Sequence, residues 1–138
     1  MRAVVDPGVL VSAALSPSGT PAKLIEAARA GQLALVVSAL LVGELDDVLG
    51  RERIAVRLDT GALGQLRRVL AEAPLVEDPA VEAISRDPTD DYLIALARAS
   101  GADCLISGDK DLVSLVDLDP PVLTPTQALD RLRAEHPV

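Results

Sequence analysis

The sequence predicts an α/β fold with a parallel sheet covered on both faces by helices. Three observations carry this. Short, continuously apolar, β-rich runs alternate with longer segments of helical period. Pro and Gly punctuate the boundaries between them, with Pro at helix starts and Gly at helix ends. Hydrophobic residues make up 49% of the chain, yet there is no Phe, no Trp and a single Tyr, so the core is built from Leu, Val, Ile and Ala. At 138 residues the chain is expected to be one domain over 1–138 with its last few residues frayed.

In chain order, residues 2–5 read as a strand ending at Asp6. Pro7 has a fixed φ and no N–H, which suits the first helical position, so Asp6 is expected to cap a short helix that buries Val9, Leu10, Ala13 and Ala14. Thr20-Pro21 is read as cap and first position of the next helix, with Gly31 as its stop. Leu33 to Val37 is expected to be one buried strand. Ser38 then caps a helix to Gly50 whose Leu40, Leu41, Leu45, Val48 and Leu49 share a face. Glu44 falls inside that face, between Leu41 and Val48. Such an acid is costly unless paired or coordinated, or unless it lies at the rim and reaches water.

Two further helices, Arg51 to Leu58 and Gly61 to Ala73, are joined by Asp59-Thr60 as a cap, and Leu75-Val76 is at most a short strand. Asp87-Pro88-Thr89 is a turn, with Asp87 and Asp90 as turn and cap residues of a helix from about Asp90 to Ser100, stopped at Gly101. Asp103 to Ser107 is a strand, Leu112 to Val116 a helical turn, Val122-Leu123-Thr124 a last strand and Pro125 to Arg133 a last helix. His136 lies in the tail and takes no role.

The net charge of −8 argues against nucleic-acid binding through the overall field; such a partner would need a local basic patch or bound cations. The arginines Arg51, Arg53, Arg57, Arg67 and Arg68 cluster in sequence and read either as solvated helix faces or as a partner or RNA surface. Cys104 falls in a strand and reads as a small buried hydrophobe; being alone, it forms no intramolecular disulfide. No apolar run is long enough to span a membrane and no signal-peptide pattern is present, so the expected location is the cytoplasm.

In a parallel sheet, ligands sit beyond the carboxyl ends of the strands. Asp6 follows the first strand and Asp109 follows the Cys104 strand. Glu44 lies one to two turns into the helix after the second strand, and Asp91 lies in the first turn of the helix that leads into the Cys104 strand. All four can reach one edge of the sheet. Alone, each acid has a structural explanation as a cap or turn residue. Together they would repel one another unless protons or cations neutralised them. Without a His or Cys cluster, an all-oxygen set selects Mg²⁺ or Mn²⁺ over zinc. Such an ion suits phosphodiester hydrolysis.

At this point the chain resembles a known family. Val4-Val5-Asp6, followed by Val9-Leu10-Val11-Ser12-Ala13, a glutamate in the helix after the second strand, the run Asp87-Pro88-Thr89-Asp90-Asp91-Tyr92-Leu93-Ile94-Ala95-Leu96-Ala97 and the run Leu105-Ile106-Ser107-Gly108-Asp109-Lys110-Asp111-Leu112 are similar to the PIN-domain ribonucleases, most of all to the PIN-family toxins of prokaryotic toxin–antitoxin systems. The resemblance covers nearly the whole chain. It implies a three-layer α/β/α sandwich and a Mg²⁺- or Mn²⁺-dependent endoribonuclease. It also implies a homodimer and a cognate antitoxin partner. By position it implies Asp6, Glu44, Asp91 and Asp109 as the catalytic, metal-holding acids, Ser107 as the hydroxyl beside the site and Asp111 as a candidate fifth carboxylate.

The chain departs from the family at one place. The polar pair usual after the first aspartate is Pro7-Gly8 here. Gly8 has no side chain to donate, and losing such a support costs about 10- to 100-fold in metal affinity or activity. The alternative reading is therefore a catalytically weak or inactive PIN-fold binding or regulatory module. A phosphoacceptor domain also places acids at strand ends, but it wants an acidic pair and a lysine after separate strands. Here Lys110 lies between two aspartates and the first strand offers only Asp6.

Overall fold

The computed structural model describes residues 1–79, 88–115 and 118–137, and among these the side chains of 88–91 lie outside the description. The elements run β1 (Arg2–Val5), α1 (Pro7–Leu15), α2 (Thr20–Arg29), β2 (Ala34–Leu35), β3 (Val37–Ser38), α3 (Ala39–Leu49), α4 (Glu52–Ala55), α5 (Thr60–Glu72), β4 (Leu75–Val76), α6 (Pro88–Ala99), β5 (Cys104–Ile106), α7 (Lys110–Val113), β6 (Val122–Leu123) and α8 (Pro125–Glu135). Every strand pair is parallel. One sheet has the order β2-β1-β5-β6, and β3 pairs with β4 alongside it. Helices flank the sheet, giving the three-layer α/β/α arrangement expected from the alternation of elements.

The local signals at the element ends act as read. Pro7 opens α1 behind an Asp6 cap whose side chain accepts from the Gly8 N–H. Ser38 caps α3 by accepting from the Leu41 N–H, and Asp59 caps α5 by accepting from the Ala62 N–H. Gly31 and Gly101, at φ +81° and +69°, take the left-handed turn that ends α2 and α6.

Several expectations are corrected. Thr20 is the first residue of α2 rather than its cap; Gly19 occupies the cap position without a side-chain bond. The run 33–37 is two short strands, because the chain changes partner at Val36. Val36 N–H makes the last bond to β1, at Ala3 O, and Val37-Ser38 then pair with β4. The helix expected from Arg51 to Leu58 is the single turn α4. Leu40 is 51% exposed, because the buried stripe of α3 is Leu41, Leu45 and Leu49 at a spacing of four, and Leu40 lies about 100° away from it. Pro88 and Thr89, read as a turn, are the first two residues of α6, because Pro suits a first helical position, so Asp90 stands inside the helix rather than at its cap. Asp87 and Val116 lie outside the described residues, as does the side chain of Asp90.

The core is aliphatic throughout. Val4, Leu10, Leu24, Leu41, Leu45, Leu66, Leu93, Leu96, Leu105 and Ile106 are its largest fully enclosed members, together with Leu112 and Leu132. Cys104 belongs to it, fully buried in β5. Burial pushes its thiol up to about 11, which keeps it protonated and unreactive at neutral pH.

Candidate active site

The sheet order places the site. From β1 the chain passes to β2 on one side, while β5 and β6 lie on the other. The winding direction therefore reverses between β1 and β5. A crevice opens outside the carboxyl ends of strands at such a reversal. The register sets Val5 opposite Ile106, so the next residues, Asp6 and Ser107, leave the sheet side by side. The Asp6 N–H donates to Ile106 O at 2.9 Å and locks this exit.

The two exits are also tied through side chains. Ser107 is fully buried. Its hydroxyl donates to Asp6 Oδ2 at 2.8 Å and accepts from the Asp109 N–H at 3.0 Å. Asp6 Oδ1 accepts from the Gly8 N–H at 2.9 Å, and Asp109 Oδ1 accepts from the Asp111 N–H at 2.8 Å. Asp6 and Asp109 then line one cleft of about 410 Å³ with Gly8, Ser12 and Gly108, at the ends of β1 and β5 and the start of α1. The family resemblance implied Ser107 beside this site; its hydroxyl bridges the Asp6 carboxylate and the Asp109 N–H.

Glu44 comes from another direction. It is exposed on α3, at the rim of the apolar stripe rather than inside it. Its Oε2 accepts a hydrogen bond from the hydroxyl of Tyr92 on α6. Tyr92 is half-buried, and its phenol is pushed well above its ordinary range. Burial is the first cause, followed by the Glu44 carboxylate as acceptor and as charge, then the charges of Asp6 and Asp78. The phenol therefore stands in the field of both Asp6 and Glu44, which relates the two halves of the site. Asp91 falls in the first turn of α6, immediately before Tyr92, but its side chain lies outside the described residues. Asp111 is exposed in the first turn of α7, and its N–H holds Asp109.

Two contributors were not read from the sequence. One is Tyr92 itself, whose signal was its singularity: a lone aromatic beside a candidate ligand. The other is Asp78, in the segment after β4. Its Oδ2 accepts from the Leu40 N–H at 3.0 Å, which anchors the start of α3, and its buried Oδ1 has no partner among the described residues. Nothing local to Asp78 marks it, since its bond spans 38 residues.

Among the described residues, no three Asp, Glu, His or Cys side chains meet closely enough to enclose a metal ion. The donors present nevertheless fit a hard cation. They are carboxylate oxygens, and each carboxylate offers about four lone-pair positions. Asp6 uses two of these in the hydrogen bonds above and Asp109 uses one, so both keep acceptor capacity toward the cleft.

Comparison with known proteins agrees with this architecture. The chain is similar to the crystal structure of PAE2754 from Pyrobaculum aerophilum, with a TM-score of 0.64 at 23% identity over 97% of this chain and 90% of that one. It is similar to VapBC2 from Rickettsia felis, solved bound to a DNA fragment from its promoter, with a TM-score of 0.60 at 13% identity over 90% of this chain and 98% of that one. It is also similar to FitAB bound to an IR36 DNA fragment, with a TM-score of 0.56 at 15% identity over 89% and 94% of the respective chains. No curated protein sequence matches it significantly. The family model described as the PIN domain matches residues 2–111, from β1 to the first turn of α7 and across both halves of the candidate site, and the chain belongs to the PIN domain family.

Proposed function

We propose that this protein is a divalent-metal-dependent endoribonuclease of toxin–antitoxin type, hydrolysing phosphodiester bonds of single-stranded RNA. The observation that carries the reading is the pair Asp6 and Asp109, fixed through Ser107 at the reversal of the sheet and open to one cleft. Asp6, Asp91 and Asp109 would hold Mg²⁺ or Mn²⁺, and Glu44 would hold the ion or orient the attacking water. The bound ion would supply a water of lowered pKa and charge stabilisation at the leaving oxygen. The protein's own part is to hold the acids. Gly8 N–H and Ser107 Oγ–H restrain the two oxygens of Asp6, and the Asp111 N–H restrains Asp109.

The overall charge of −8 repels RNA, so the cation would also serve to bring a phosphate to the acidic cleft. Arg53, Arg57 and Arg68 are exposed and would offer a basic surface; Arg51 and Arg67 are in ion pairs with Asp47 and Asp46. A cognate antitoxin, a homodimer and a cytoplasmic location complete the reading. The family match and the likeness in fold to VapBC2 and FitAB support the antitoxin. No helix of the described residues is long and apolar enough to cross a membrane.

Cleavage of a labelled single-stranded RNA is the test. The expected result is cleavage that needs Mg²⁺ or Mn²⁺, stops with EDTA and is abolished in Asp6→Asn. Metal-independent cleavage, or equal cleavage by Asp6→Asn, would overturn the reading.

A second reading, an inactive PIN-fold binding module, is favoured by one observation: Gly8 lines the cleft and offers it no side chain. A Cβ at Gly8 would meet only Asp6 Oδ1, at an ordinary 3.6 Å. The backbone thus accepts an asparagine there. On the module reading, wild type cleaves no RNA with either ion while the protein still binds its partner.

A further inference from the structure

Tyr92 is the one aromatic residue in a chain with no Phe and no Trp. The core packs without it; it lies at the core's edge, partly buried. A purely apolar role would be met by another leucine, as it is elsewhere in α6 at Leu93 and Leu96. The feature that distinguishes this side chain is its hydroxyl, which donates to Glu44 Oε2 across 48 residues of sequence and joins α6 to α3.

The two partners differ in freedom. Glu44 is exposed, and a surface glutamate has several rotatable bonds, so ordering it costs entropy. The phenol has two side-chain torsions, and its ring is packed against the core. The rigid partner therefore fixes the mobile one. A phenol has a single proton to donate, so it engages one oxygen, and Oε1 accepts no hydrogen bond among the described residues. A tyrosine hydroxyl carries its proton at neutral pH unless strongly activated, and here it is the donor of the pair because the carboxylate can only accept. Asp78 helps from the other side by holding the Leu40 N–H at the start of the helix that carries Glu44.

We propose that Tyr92 is the positioning residue for Glu44, holding that carboxylate by one oxygen so that the other faces the metal or the attacking water. The inference rests on the reading of Glu44 as a member of a ribonuclease site.

The test uses the full chain as Tyr92→Phe, Glu44→Gln and the double variant, with a labelled single-stranded RNA and Mn²⁺. Tyr92→Phe is expected to lower kcat by about 10- to 100-fold, the usual cost of removing a group that orients a ligand, with KM for RNA unchanged. The double variant is expected to be no slower than Glu44→Gln, because the hydroxyl acts only through that carboxylate. Wild-type kcat in Tyr92→Phe, or losses that multiply in the double variant, would overturn the proposal.

A second readout needs no activity. With one tyrosine and no tryptophan, the near-ultraviolet signal comes from Tyr92 alone. It is expected to change in Glu44→Gln, which replaces the charged acceptor, and an unchanged spectrum would also overturn the proposal. A wild type that neither binds Mn²⁺ nor cleaves RNA, while keeping that spectral difference, identifies failure of the ribonuclease reading and leaves the Tyr92 bond with no catalytic purpose. An active wild type with an active Tyr92→Phe identifies failure of the positioning role alone.

Discussion

Asp6 and Asp109 are placed by the backbone, whereas Glu44 is placed by one side chain. The first pair leaves adjacent parallel strands whose register sets Asp6 beside Ser107, and N–H or O–H donors from Gly8, Ser107 and Asp111 hold the carboxylates. Glu44 stands on the exposed rim of α3, and the Tyr92 hydroxyl is its one hydrogen-bond donor among the described residues. The sheet-end half is consequently as rigid as the sheet. The helix half depends on two long-range ties, Tyr92 to Glu44 and Asp78 to Leu40. In a site built this way two acids are held by strand register and local donors, and the third is held through a bond between distant elements.

Substitutions in the two halves should therefore act differently. The largest effect is expected for Asp6→Asn. A bound metal contributes several kcal/mol to the reaction, so losing a ligand should cut RNA cleavage by about 100-fold or more, measured as kcat/KM at saturating Mn²⁺. Ser107→Ala should come next and should affect stability as well as activity. It removes the hydroxyl that accepts from the part-buried Asp109 N–H and donates to Asp6, a cost of about 1 kcal/mol in urea unfolding. In contrast, Tyr92→Phe should lower activity with little change in unfolding. If Ser107→Ala were as stable as wild type, the sheet-end half would not be the rigid one.

Asp78→Ala should cost about 1 kcal/mol, as the loss of a helix-start acceptor does, and Asp78→Asn should recover most of it because an acceptor oxygen remains. Arg51→Ala, which removes an exposed pair with Asp47 four residues away, should cost about 0.3–0.5 kcal/mol and leave cleavage unchanged. A larger loss of cleavage there would place the arginine-rich segment on the RNA path. Gly8→Asn sharpens the comparison from the other direction. Its Cβ fits, so the variant should fold as wild type does, and RNA cleavage should rise if a polar side chain is what the Asp6 side lacks.

The difference between the halves also explains what could be read from the sequence. The positions of Asp6, Pro7 and Asp109 at strand ends and helix starts were legible because strand ends, caps and turns are local patterns, and a parallel sheet brings its carboxyl ends together, whereas Ser107 was singled out by the family resemblance alone. Gly31 and Gly101 were legible as stops for the same reason. Local chemistry was less decisive at Thr20, where Pro21 pulled the reading one residue late, and at Leu40, one step off the stripe of Leu41, Leu45 and Leu49. The partner change at Val36 depends on where β4 lies, which no window around Val36 contains. The Tyr92–Glu44 and Asp78–Leu40 bonds join residues 48 and 38 positions apart, so periodicity, which set Glu44 inside the leucine face, could not show that it stands at the rim or what it meets there.

The central claim is that carboxylates from both halves hold one divalent ion, and a Mn²⁺ titration of wild type and Asp91→Asn tests it most directly. Asp91 is the acid that α6 carries immediately before Tyr92. Saturable binding by wild type, weakened about 10-fold or more in Asp91→Asn, is the predicted result. No binding by either protein, or equal binding by both, would contradict it.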